Sequence, residues 1–189
     1  METIAQLKEQ VLACTACKLA ATRTNPVFGG GNPGARVLLV GEGPGEQEDL
    51  SGQPFVGRAG KLLDKMLEAV GLSRDDNVFI TNIVKCRPPG NRDPQPDEVS
   101  ACIGYLKKQI EHIRPDFIVC LGRVAAQNLM DPDFRVTKQH GQFVEKDGVM
   151  MMGTFHPAAL LRNPNQKTDA LDDFCKLRDR LREQGAALS

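Results

Sequence analysis

The sequence predicts an α/β protein of three layers, a parallel β-sheet covered on both faces by helices, and three observations carry that expectation. Four apolar runs rich in β-branched residues recur at 36–43, 77–84, 116–122 and 148–155. They are nearly continuous in apolar character rather than alternating, as strands buried on both faces are. Segments of helical period lie between and around them, which is the pattern of a parallel sheet joined by right-handed crossovers.

Taken in chain order, residues 2–13 carry the first helical pattern and "RVLLVGEG" (36–43) the first strand, which breaks into glycines. The stretch "RAGKLLDKMLEAV" (58–70) spaces its apolar residues for a helix, and "NVFITNIV" (77–84) is the second strand. A long helix is expected over "PDEVSACIGYLKKQIEH" (96–112), then the strand "DFIVCLG" (116–122) and a helix at 122–130. The strand "GVMMMGTF" (148–155) and a helix at 168–184 complete the series. The Pro/Gly-rich stretches 24–34 and 87–96 are too short for interdomain linkers and read as ordered loops; there is no internal repeat or heptad run. A single domain over 1–189 is expected. In such folds ligands collect at the carboxyl ends of the strands, where 41–48, 82–92 and 155–162 all fall.

Composition narrows the function. With 24 basic and 24 acidic residues the net charge is zero, so any DNA contact must come from a local patch. Arg58, Lys85, Arg87 and Arg92 are placed to form one. The opening "METIAQLKEQ" lacks a signal peptide's apolar core, and no run approaches the ~20 apolar residues of a membrane span. A soluble, cytoplasmic protein with no membrane contact is expected.

Six cysteines without an export signal should be reduced thiols. Cys14 and Cys17 form C-x2-C after the first helix, Cys86 follows the second strand, and Cys102 lies on the next helix. That tetrathiolate layout suits zinc or an iron–sulfur cluster, and spacing does not choose between them. Cys120 and Cys175 read as ordinary buried cysteines.

The motifs "GEGPGEQED" (41–49), "PFVGRAGKLLD" (54–64), "TNIVKCRPPGNRDP" (81–94) and "FHPAALLRNP" (155–164), with these four cysteines, closely resemble the family 4 uracil-DNA glycosylases. The resemblance implies a four-stranded parallel sheet between helices, a [4Fe–4S] cluster on Cys14, Cys17, Cys86 and Cys102, and hydrolytic removal of uracil from DNA as a first step of base excision repair. A monomer is expected. Members of the family often read His-Pro-Ser-Tyr-Leu-Leu-Arg where this chain has Ala158 and Ala159. The basic, histidine-containing insertion of a related branch that attaches covalently to uracil-DNA does not follow Arg58.

Breaking an N-glycosidic bond puts positive charge on the sugar and negative charge on the departing base, so a carboxylate and hydrogen-bond donors are both required. The resemblance gives Glu42 the carboxylate's role and His156 the donor's, toward uracil O2, with Asn91 helping to position water or DNA. Gly41 and Gly43 allow close approach of the base. Phe55 is the expected stacking ring and Asn82 the reader of the Watson–Crick edge, with Glu48 near uracil C5. Leu160 and Leu161 are expected to wedge the duplex, and Arg162 to hold phosphate. A binding module without turnover would lack the Glu42 and His156 pairing. A nucleotide-binding regulator would carry the Lys-Ser/Thr of a P-loop, which the Gly-rich turn lacks.

Overall fold

A computed structural model describes residues 1–188. The elements in chain order are α1 (Ile4–Leu12), β1 (Gly30–Gly31), β2 (Val37–Gly41), α2 (Glu46–Ser51), α3 (Arg58–Ala69), β3 (Val78–Asn82), α4 (Pro96–Ile113), β4 (Phe117–Leu121), α5 (Arg123–Leu129), α6 (Val136–Gln139), β5 (Phe143–Lys146), β6 (Val149–Thr154), α7 (Pro157–Arg162) and α8 (Lys167–Glu183). Among the described residues no helix is long and apolar enough to cross a membrane.

The four expected strands form the parallel core in the order β3-β2-β4-β6. Every residue of β2, β3 and β4 is buried. Successive side chains point to opposite faces, and the core divides accordingly. Val37, Leu39, Val78, Ile80, Phe117 and Val119 pack with Leu63, Leu67, Phe174 and Leu177 of α3 and α8. Leu38, Val40, Phe79, Ile118 and Cys120 pack on the other face with Leu7, Leu106 and Ala125 of α1, α4 and α5. Each fully buried Leu, Ile or Phe contributes about 1.5–3 kcal/mol.

The sheet has six strands rather than the four expected, because an antiparallel strand is added at each edge. At one edge Gly30 and Gly31 pair with Ile80 and Phe79. A Cβ on Gly31 would lie 2.3 Å from the Val78 carbonyl oxygen, so only glycine brings this backbone close enough to pair. At the other edge β5 pairs with β6 through Asp147 and Gly148, whose φ values of 52° and 81° make a tight hairpin turn.

The proline-rich segment between β3 and α4 is fixed by one clamp. Glu98, with no solvent exposure, accepts hydrogen bonds from Arg92 Nη1 at 2.7 Å and Nη2 at 2.8 Å, and from the Gln95 N–H at 2.8 Å. The Arg92 guanidinium holds the Glu98 carboxyl down to about 2, from an ordinary 4.5, against the opposing effect of burial. A carboxyl depressed in the folded state contributes stability that is complete above its unfolded pKa and is lost as pH falls toward its folded one. Thermal unfolding of the protein and Glu98→Gln, followed from neutral pH downward, should therefore show a wild-type advantage that is constant above about pH 4.5 and shrinks below it. A difference that does not vary with pH would remove this clamp from the account.

Candidate active site

A cavity of about 300 Å³ opens at the carboxyl edge of the sheet, a volume at the small end for ligand sites. Glu42, Gly43, Glu48, Phe55, Arg58, Asn82, Asn91, Arg92, His156 and Arg162 all line it. Residues separated by more than a hundred positions are gathered here because β2, β3 and β6 all end on the same side. Gly41 lies at the base of the site, where a Cβ would come within 2.5 Å of Asn82 Oδ1 and 2.7 Å of the Phe55 ring. Glycine is needed at 41 for space, not for an unusual φ.

Phe55 is held in a left-handed conformation, φ 48°, which a bulky residue adopts only when its surroundings impose it. Three groups do so. Arg74 donates to the carbonyl oxygens of Pro54, at 2.5 Å, and Phe55, and is itself held by Asp64 at 2.7 Å. Glu48 accepts the N–H groups of Gly57 at 3.0 Å, Val56 at 3.3 Å and Gly45 at 3.2 Å. Gly60 leaves room, since a Cβ there would meet the Phe55 carbonyl oxygen at 1.9 Å. The Phe55 ring sits 5.6 Å from the His156 ring, centroid to centroid, tilted by 31°. Both Glu48 oxygens are committed to backbone, so Glu48 lines the cavity as a brace.

His156 caps α7: its Nδ1 accepts the Ala158 N–H at 3.0 Å. An Nδ1 that accepts leaves the ring proton on Nε2. Burial, with the nearby Arg162 adding, pushes the imidazole down to about 4, so it is a neutral donor at ordinary pH. The same desolvation acts on Glu42 with the opposite sign and raises its carboxyl above the usual range; Asp93 adds to the rise, while Arg123 and Arg162 oppose it. Asn82, 2 % exposed, has a buried Oδ1 without a hydrogen-bond partner among the described residues. Asn91, at φ 57°, accepts from Arg87 Nε at 2.7 Å.

Cys14, Cys17, Cys86 and Cys102 surround a second, small cavity walled by Val11, Leu19, Val84 and Tyr105. Backbone and guanidinium N–H groups reach the sulfurs: Ala16 to Cys14 at 3.5 Å, Lys85 to Cys102 at 3.3 Å and Arg23 Nη1 to Cys86 at 3.2 Å. Among the described residues no three His, Cys, Asp or Glu side chains are arranged to hold a single metal ion. Four soft thiols around one apolar cavity, with N–H donors on sulfur, are the donor chemistry that suits an iron–sulfur group. Cys120 lies apart inside β4, where burial pushes its thiol up to about 12, and Cys175 lies on α8.

Three expectations need correction. Leu160 is fully buried and packs with Phe174 and Leu177, so it cannot enter a duplex. The segment is a helical turn whose apolar side faces the core, and Leu161 beside it is only half-buried. Lys85 is 1 % exposed and takes no part in a surface patch. The Arg92 fork is spent on Glu98. Sequence reasoning missed Arg74, whose partners lie 19 and 20 residues away and leave no local signal. It also missed Asp173, fully buried on α8, which joins Thr154 at 2.6 Å and His140 at 2.9 Å just before the His156 turn.

A family model described as the Uracil DNA glycosylase superfamily matches residues 28–181. The chain is 48 % identical over 185 residues to the type-4 uracil-DNA glycosylase of Archaeoglobus fulgidus, covering 94 % of this chain and 92 % of that protein. Its identity to the type-4 enzyme of Thermotoga maritima is 45 % over 183 residues, with 95 % of each covered. A type-5 uracil-DNA glycosylase of Pyrobaculum aerophilum is 35 % identical over 159 residues, covering 76 % of this chain and 70 % of that one. With most of its length inside that match, and the cavity at the sheet edge built from the same stretch, the chain belongs to the uracil-DNA glycosylase superfamily.

Proposed function

We propose that the protein is a monofunctional uracil-DNA glycosylase of the type-4 kind, hydrolysing the bond between uracil and deoxyribose in DNA. One observation carries the reading: a buried amide whose oxygen has no partner among the described residues, a neutral imidazole donor, a desolvated carboxylate and a fixed aromatic ring share one cavity. A base must leave the stack to reach it. Phe55 stacks on the flipped uracil, the Asn82 carboxamide pairs with O4 and N3, and Gly41 and Gly43 leave the space. The His156 Nε2–H donates to O2 as negative charge collects on the departing ring.

Glu42 orients the water and offsets the positive charge that grows on the sugar. The C1′–N1 bond breaks, the water oxygen bonds to C1′, the water's proton is released and uracil leaves as an anion that is protonated afterwards. Asn91, held by Arg87, borders the water's side of the cavity. Glu48 limits the space beside C5 through its bulk. Arg58 and Arg162, both exposed at the cavity mouth, engage phosphates together with Arg87, and the protein acts as a monomer.

Cys14, Cys17, Cys86 and Cys102 hold a [4Fe–4S] cluster. When bound, the cluster supplies bonds that cross-link the chain after α1 to the segment between β3 and α4. The gathering of the four thiols around one apolar cavity and the N–H donors on sulfur support this reading, as does the family resemblance.

The decisive assay is incubation with an oligonucleotide holding one uracil, followed by alkaline cleavage; an intact strand would end the proposal. Glu42→Gln and His156→Ala should each lower single-turnover excision by at least ~100-fold while DNA affinity stays close to wild type. Because Glu42 acts ionised and its pKa is raised, wild-type excision should begin to fall on the acid side above pH 4.5. The residual activity of Glu42→Gln should lack that limb. His156, its imidazole pushed down to about 4, adds a loss only toward the acid end of that limb.

Protein purified without oxygen should be brown and carry about four irons per chain. Cys120→Ser and Cys175→Ser should keep the colour and Cys86→Ser should lose it. A colourless protein with one zinc refutes the assignment. On base choice, Asn82→Asp should lose most uracil excision, since each mismatched buried contact costs about 1–3 kcal/mol. Matched oligonucleotides with uracil, cytosine or thymine measure this, and full uracil activity in Asn82→Asp would remove it as the reader.

A further inference from the structure

We infer that Lys85 is a positioning residue that ties the base-reading end of β3 to the cysteine cradle, so that one segment both carries Cys86 and holds Asn82 in place. The inference rests on the reading of Asn82 given above. Lys85 stands three residues after Asn82 and one before Cys86, and it is among the largest fully buried side chains. Its backbone N–H donates to Cys102 Sγ at 3.3 Å, and its carbonyl accepts the Val27 N–H at 2.7 Å. Its ammonium turns back along the chain and donates to the Asn82 carbonyl oxygen at 2.7 Å, Thr81 Oγ1 at 2.6 Å and Gln109 Oε1 at 2.8 Å.

An ammonium has three N–H groups, and all three are used inside the protein. None remains for substrate or phosphate, so the group acts on structure. The acceptors are anchored in turn: Gln109 Nε2 donates to the Phe28 carbonyl oxygen at 2.8 Å and the Thr81 hydroxyl to the same oxygen at 3.1 Å. An apolar side chain of similar length would fill the space without the desolvation of a buried cation, so the cation's contribution is geometric specification. What it specifies is the backbone of Asn82. The Asn82 Oδ1 has no partner among the described residues, so the main chain sets where that side chain enters the cavity. A carboxamide that shifts reads the wrong edge.

The test uses purified iron-loaded protein with three readouts: iron per chain, calorimetric affinity for free uracil and free cytosine, and single-turnover excision. Lys85→Met keeps the stem and removes the three donors. It should retain iron, weaken free-uracil binding about ten-fold and slow excision by a similar factor, with little change in KM for DNA. In an Asn82→Ala background it should add no further loss, because it acts through Asn82. Thr81→Val, which removes one acceptor while keeping volume, should show about a three-fold effect with the same dependence on Asn82, and it decides the matter if Lys85→Met does not fold. Wild-type uracil binding and excision in the variants, losses that add in the Asn82→Ala background, or loss of iron together with activity would each overturn the inference. A wild-type protein that neither binds uracil nor excises it would instead overturn the proposed function.

Discussion

The pairing of β2 with β3 is the constraint around which the site is arranged. In the parallel ladder Gly41 stands beside Asn82, and the pairing continues past the strand ends, with the Ile83 N–H on the Gly41 carbonyl at 2.9 Å and the Val84 N–H on the Glu42 carbonyl at 3.1 Å. A ladder fixes register to the residue, because a slip by one turns every side chain to the opposite face. Asn82 and Glu42 are one residue apart in that register, and both line the cavity that opens where the two strands end. Phe55 and His156 then close in from α3's approach and from the end of β6.

Electrostatics inside the cavity follows from one cause acting on two kinds of group. Desolvation disfavours whichever form is charged, so it lowers the imidazole and raises the carboxyl. In the proposed mechanism a neutral histidine is the useful form where an anion departs, since its Nε2–H donates without a positive charge to be solvated at rest. The same mechanism needs Glu42 ionised, and the guanidinium groups of Arg123 and Arg162 temper the rise of its pKa. Charge that develops in the proposed bond cleavage would thus meet groups that need little rearrangement.

Local pattern made the parallel core legible, and β2, β3, β4 and β6 each fall within the apolar runs that announce them. Edge strands were less visible for separate reasons. Gly30 and Gly31 have no side chains to form a pattern, whereas the Asp147-Gly148 turn before β6 is a recognisable hairpin signal that periodicity alone passes over. The cavity-lining residues were readable because they sit in motifs at strand ends. Leu160 was not, since a loop with two leucines and a short helix with one face in the core look alike over six residues. Arg74 and Asp173 depend on partners brought close only by folding, as Lys85 does on Gln109, and composition carries no trace of such contacts.

The double use of His156 bears on how such a site persists under mutation. Active-site groups are commonly a local burden on stability, so sequences drift toward sturdier and less active forms when selection for activity relaxes. Here the imidazole that faces the cavity also starts a helix, through the Nδ1 contact with the Ala158 N–H. Losing an N-cap costs roughly 1 kcal/mol. Replacement by an apolar residue therefore weakens the fold as well as the proposed chemistry, so it brings no gain in stability to offset the lost function. Under the proposed function, durability and activity point the same way at this position, which sets the histidine apart from the usual trade between them.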